Sequence, residues 1–159
     1  MRRGARFVII QSFALWLCLC LICLCCTGLT QGECVARHAL SHLGVPYRLG
    51  FAGPDAYDCS GLIRHCFARE GFDIPHSAKH IGALAGYREI TDPAALMTGD
   101  IVCFDTVDDA DPSDHVGVYL GGGQFVHASS ARGAVVVSDL AGYYLERFTG
   151  ARRVAQVWF

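Results

Sequence analysis

The apolar pattern changes character along the chain. Phe7 to Cys26 is apolar apart from Gln11 and Ser12, with Arg2, Arg3 and Arg6 before it and small Thr27 and Gly28 after it. A basic stretch, an apolar run and small residues in that order form a secretory signal. Residues 1–28 are therefore expected to be an export signal and 29–159 the folded domain. The same run supports two other readings. About 20 apolar residues can just span a bilayer as an uncleaved anchor. One of Cys18, Cys20, Cys23, Cys25 and Cys26 could instead carry a lipoprotein acyl chain, although none has both a small residue before it and a leucine three before it.

Beyond the signal the apolar residues first fall at helical spacing. Val35, Ala39 and Leu43 predict a helix over Glu33 to Leu43, stopped by Gly44. Residues 44–57 are rich in Gly and Pro and read as an irregular loop. Asp58 then offers an N-cap, and Leu62, Ile63, Cys66 and Phe67 form the stripe of a second helix running to Gly71. Later segments are short and strand-like: Ile101 to Phe104, His115 to Leu120, Gln124 to Ala128, Ala134 to Val137, and Arg153 to Trp158. Gly121-Gly122-Gly123 joins the second and third as a hairpin. An acidic loop, Asp105 to Asp114, holds five aspartates and Pro112. Helices first and strands afterwards give an α+β domain, with a helical layer packed on an antiparallel sheet.

Charge and cysteine content narrow the function. Of 13 basic residues, three lie in the signal, so the remaining domain carries 10 against 15 acidic residues. Lys79 is its one lysine and no basic face is visible, which excludes a nucleic-acid partner. Four of the nine cysteines, Cys34, Cys59, Cys66 and Cys103, follow the signal. If one must remain a thiol, the odd remainder argues against a disulfide framework, although one bridge among Cys34, Cys66 and Cys103 is open to an exported chain. Cys66 and Cys103 sit in apolar stretches and read as buried free thiols.

Cys59 is placed differently, directly after an N-cap, where unpaired backbone N–H groups and the helix dipole favour a thiolate. The Asp58 carboxylate opposes that charge and is read as a cap. Small Ser60 and Gly61 leave room for a substrate carbonyl near the Cys59 and Ser60 amides, an oxyanion position. The hairpin supplies the partner. With a three-residue loop, Leu120 faces Gln124, so His115 faces Ser129 and lies diagonal to His127, and both imidazoles project from one face. A loop one residue shorter would turn one of them away. Gly117, on that face, is expected to leave space for a helix end or substrate. His115 is assigned as base and His127 as its orienter.

These residues resemble the NlpC/P60 family of cell-wall cysteine peptidases. The resemblance is carried by Gly44-Val45-Pro46-Tyr47, Tyr57-Asp58-Cys59-Ser60-Gly61-Leu62, Gly99-Asp100-Ile101-Val102, His115-Val116-Gly117-Val118-Tyr119-Leu120-Gly121 and Phe125-Val126-His127-Ala128, in order from about Cys34 to Val157. It implies a papain-like α+β fold with the nucleophile at a helix N-terminus. It also implies cleavage of peptidoglycan stem peptides, typically after γ-D-glutamate, in the periplasm or cell envelope. Cys59 would attack, His115 activate it, His127 orient His115, and Tyr47 bring its hydroxyl near the nucleophile. The chain departs from the family at Pro75-His76-Ser77-Ala78-Lys79-His80, where an Arg and a Thr or Ser followed by Gln are usual. It departs again at Leu49-Gly50-Phe51, where a glycine pair often follows the tyrosine.

Other features carry less. His38 with His42, and His76 with His80, stand four apart, but neither pair has the Glu of a His-Glu-x-x-His motif or a visible third ligand. They read as solvated helix-face residues, and neither a metal nor a cofactor is expected. The aspartates of residues 105–114 do not fit an EF-hand spacing; their charge could attract a substrate amine. The alternatives are an amidase or acyltransferase of the same fold, or a silent wall-binding module. A thiol oxidoreductase would need a Cys-x-x-Cys pair, which Cys59 lacks. The domain is expected to act as a monomer on the stem peptide, with the N-terminus as a possible membrane tether.

Overall fold

A computed structural model of the chain describes residues 28–107 and 112–154. The expected signal with its five cysteines, Asp108, Asp109 and Asp111 of the acidic loop, and residues 155–158 of the last expected strand lie outside the described residues.

The first helix, α1 (Gln31–Leu40), begins before Glu33 because Thr30 and Glu33 form a capping box. The Thr30 hydroxyl accepts from the Glu33 N–H at 3.2 Å, and the Glu33 carboxylate accepts from the Thr30 N–H at 2.7 Å. The helix also ends before Leu43. His42 and Leu43 bond three residues back, and Gly44, at φ +81°, turns away to donate its N–H to the Val135 carbonyl at 2.9 Å. The second helix, α2 (Cys59–Arg69), starts where its cap predicts, with Leu62, Ile63, Cys66 and Phe67 fully buried. A short α3 (Ala78–Gly82) follows.

Among the described residues six strands form one antiparallel sheet: β1 (Arg88–Ile90), β2 (Ile101–Phe104), β3 (His115–Gly121), β4 (Gln124–Ser129), β5 (Ala134–Asp139) and β6 (Phe148–Arg153), in the order β1-β6-β2-β3-β4-β5. The last strand ends at Arg153, where the sequence pattern placed its start. It pairs there with β1, a strand with too few apolar residues to be visible in the sequence. A helix over Tyr143–Glu146, α4, precedes β6.

The period-two alternation of the strands divides the core in two. Ile101, Cys103, Val116, Val118, Val126, Ala128 and Val135 face α1 and α2. Val102, Phe104, Tyr119, Phe125 and Ala151 meet Ile90, Leu140 and Tyr144 on the other side. Every residue of β2 is buried, as expected of a strand covered on both faces.

Asp100, at the start of β2, forms a bidentate pair with Arg153 at the end of β6, at 2.8 and 2.7 Å, and also accepts the Met97 N–H at 2.8 Å. Both side chains are almost fully buried. Asp100→Ala would leave the guanidinium buried without its counter-charge, a loss of about 3–5 kcal/mol. Urea unfolding is expected to show a stability drop of that size, and a drop below about 1 kcal/mol would mean the pair is solvated.

Candidate active site

Asp58 caps α2 through several contacts at once. Its Oδ1 accepts the Gly61 N–H at 2.7 Å and the Ser60 hydroxyl at 3.0 Å, and its Oδ2 accepts the Gly50 N–H at 2.7 Å. His76 Nε2 lies 2.9 Å from both oxygens. This arrangement fixes Cys59 as the first helical residue. Its sulfur reaches the start of β3 from the helix side, 3.9 Å from the Asp114 carbonyl oxygen. Burial first, and then the Asp58 charge, push the Cys59 thiol up to about 11. The N–H groups of Val116, Ser60 and Cys59 favour the thiolate but do not overcome them. The helix terminus therefore stabilises the charge without creating it at rest.

His115 opens β3, opposite Phe104 of β2, and lies on the face away from the helices together with Tyr119, Phe125 and His127. The hairpin keeps the expected parity by a different route. Gln124 pairs with Gly121 across a two-residue loop, Gly122-Gly123, and Leu120 is bulged out, so Tyr119 still faces Phe125 and Val118 faces Val126. Gly121, Gly122 and Gly123 all take positive φ, which explains their identity. His115 Nε2 and His127 Nδ1 are 2.6 Å apart, with the rings edge to face. Gly117 makes room for Phe125 and His127, not for a helix end or substrate: a Cβ there would lie 2.6 Å from the Phe125 ring and 3.3 Å from His127 Cβ.

His127 Nε2 continues the chain to Ser138 Oγ at 3.0 Å. Ser138 stands opposite Phe125 on β5, diagonal to His127. When His127 Nε2–H donates to Ser138 and His115 Nε2–H donates to His127 Nδ1, His115 Nδ1 keeps its lone pair as a base. The reverse direction protonates that nitrogen and removes the base. Burial lowers His115 to about 4, with Asp114 opposing; burial and then His115 lower His127 to about 3. At neutral pH these three groups rest as a thiol and two neutral imidazoles.

The other expected residues take more restricted positions. Tyr47 packs against the helix-side core, and its hydroxyl is raised first by burial and then by the Cys59 and Asp58 charges, which marks it as a near neighbour of the sulfur. The Ser60 hydroxyl is occupied by Asp58, so only its amide can face a substrate oxygen. Asp114 ties its own loop by accepting the N–H groups of Thr106 and Val107 and the Thr106 hydroxyl, and so is not free to hold a substrate amine. Cys34, Cys59, Cys66 and Cys103 are all free thiols.

The sequence profile of the NlpC/P60 family matches residues 44–153, which include this cleft. The chain belongs to the NlpC/P60 family. Over 112 residues it is 35% identical to the Escherichia coli murein DD-endopeptidase MepS/murein LD-carboxypeptidase, covering 70% of this chain and 56% of the relative. It is 32% identical over 121 residues to the Bacillus subtilis gamma-DL-glutamyl hydrolase, covering 75% and 28%. Among solved structures, NlpC2 from Trichomonas vaginalis superposes with a TM-score of 0.73 at 30% identity, covering 82% of this chain and 48% of that one. The match thus spans about half the length of the Escherichia coli and Trichomonas vaginalis proteins and little more than a quarter of the Bacillus subtilis one.

Within the NlpC/P60 pattern, both departures of this chain converge on the cap. Gly50 donates to Asp58, whose own N–H donates to the Phe51 carbonyl at 2.8 Å. His76 precedes α3, which Ser77 caps, so it does not share a helix face with His80. Sequence reasoning missed Ser138 because it ended β5 at Val137; the alternation Ala134, Val136, Ser138 was the available signal. Ser138→Ala removes the far end of the chain, worth about 1 kcal/mol. The expected result is a roughly fivefold lower kcat with unchanged KM; a variant equal to wild type would show that His127 needs no such support.

Proposed function

We propose that this chain is an exported cysteine endopeptidase that hydrolyses amide bonds in peptidoglycan stem peptides, after γ-D-glutamate. Cys59, His115 and His127 carry the chemistry, and Tyr47 and the Ser60 amide face the substrate. The observation that carries the proposal is the Cys59 sulfur at the α2 terminus, 3.9 Å from the carbonyl of Asp114 at the start of β3, where the next residue is His115, whose Nε2 is held by His127. The names of the relatives, murein endopeptidase and glutamyl hydrolase, support the substrate class. They also support an envelope location. In this reading the N-terminal apolar run serves as signal or tether and a single chain is the acting unit.

The mechanism starts from the resting neutral pair. As Cys59 Sγ attacks the scissile carbonyl, its proton passes to His115 Nδ1, and the oxyanion is met by the Cys59 and Ser60 amides. His127 accepts from His115 Nε2–H and supports the imidazolium, to which Asp114 adds a favourable charge. The imidazolium then gives its proton to the leaving amine. Water, activated by the same imidazole, hydrolyses the thioester.

A base that burial lowers to about 4 stays neutral through mildly acidic pH. Activity needs the neutral form, so kcat/KM is expected to hold as pH falls past 6.5 and to be lost only as it falls through the lowered value. An acid limb at 6.5 or above would contradict the buried neutral His115. Mass spectrometry of fragments released from purified peptidoglycan tests the bond: a new γ-D-glutamate terminus is expected. Termini elsewhere in the stem peptide, or ester products, would point to the amidase or acyltransferase reading.

A further inference from the structure

A second cluster of nucleophilic and ligating side chains lies between α1 and α2, among residues that the proposed chemistry does not use. His38, in the last turn of α1, and His42, just beyond it, bring their Nε2 atoms to 3.3 Å. A ring nitrogen of each and Cys66 Sγ all lie within 4.8 Å of one another. The His65 ring stands 5.4 Å from that of His38 and 5.1 Å from that of His42, centroid to centroid. Sequence spacing showed the two histidines but no third ligand. Cys66 is 28 and 24 positions away from them, and only the packing of α2 on α1 supplies it.

Hydrogen bonding alone leaves this cluster poorly satisfied. His38 Nε2 faces both His42 and the Arg69 guanidinium, the latter at 3.4 Å, while His38 Nδ1 is buried with no hydrogen-bond partner. Neither neutral tautomer of His38 gives Nδ1 a hydrogen-bond partner, and Nε2 is the ring nitrogen that faces His42. The Tyr57 hydroxyl, 3.3 Å from His42 Nδ1, can fix that ring from behind, as the outer partners of metal-bound imidazoles do. Ligand bonds of about 2.0–2.1 Å in a tetrahedral site put two nitrogens about 3.3 Å apart, the spacing found here.

We propose that His38, His42 and Cys66 bind a zinc ion, with His65 or a water in the fourth position, as a clasp between α1 and the helix that carries Cys59. Two imidazoles and a thiolate suit this borderline-soft ion. Binding displaces the Cys66 proton to solvent, so affinity rises with pH. Arg69 is exposed and can swing aside, and a surface hollow lined by His38, Arg64, His65 and Arg69 gives access.

Co2+ is the probe. The full chain is used with Cys59 changed to alanine and Cys18, Cys20, Cys23, Cys25 and Cys26 to serine, leaving Cys34, Cys66 and Cys103 as the thiols. One equivalent should produce a near-ultraviolet thiolate-to-cobalt band, bleached by Zn2+. Adding Cys66→Ala should abolish the band while the far-ultraviolet dichroism is retained. Should that variant fail to fold, His38→Gln and His42→Gln, at half-buried positions, should each weaken Co2+ binding by about 10–100-fold. No thiolate band, a band that survives Cys66→Ala, or unchanged affinity in both histidine variants would overturn the site.

Discussion

His115→Ala is expected to lower kcat on a stem-peptide substrate by about 10³–10⁴-fold, with KM nearly unchanged and the fold retained. The size follows from the state in which the cleft rests. A Cys59 thiol near 11 is ionised in only about one molecule in 10⁴ at pH 7. Without a neutral base to take the proton during attack, turnover falls to what that fraction supports. The same reasoning predicts that raising the pH partly rescues His115→Ala, because hydroxide then does the work of the imidazole. Steady-state kinetics from pH 7 to pH 10 check both points. A variant that loses only a few-fold, or shows no alkaline rescue, would mean that Cys59 is ionised at rest and that His115 has another role.

How much of this was legible in the sequence depended on the range of the interaction concerned. The position of the proposed nucleophile was local: Asp58 followed by small residues and an apolar stripe specifies a helix start, and α2 begins at Cys59. The parity of His115 and His127 was local too, although a bulge at Leu120 and a two-residue turn replaced the expected three-residue loop. The two solutions share a parity because each adds an odd number of residues between facing positions.

What was hidden depends on contacts across the fold. Ser138 reaches His127 only once β5 pairs with β4 beyond Val137. His76 looks like half of a helical pair until Ser77 caps α3 and leaves it facing Asp58. The strand expected over Arg153 to Trp158 lies mostly outside the described residues, whereas Phe148–Arg153, which the apolar pattern did not mark, is held by the Asp100 pair and by β1. Gly117 read as open space, and Phe125 and His127 fill it.

The proposed chemistry and the proposed clasp meet on α2. Cys59 sits at its first turn and Cys66 seven residues along, two turns away. A metal at Cys66 would hold the helix against α1 without entering the cleft, so the two proposals stand or fall separately.

Cleavage of the stem peptide by the Cys59 thiol is tested by removing the sulfur. Wild-type protein and Cys59→Ala are incubated with purified peptidoglycan at equal concentration, and the soluble fragments are identified by mass spectrometry. Wild type should release fragments with new γ-D-glutamate termini, and Cys59→Ala should release none above the no-protein control. Equal release by both would contradict the claim and move the chemistry away from the α2 terminus.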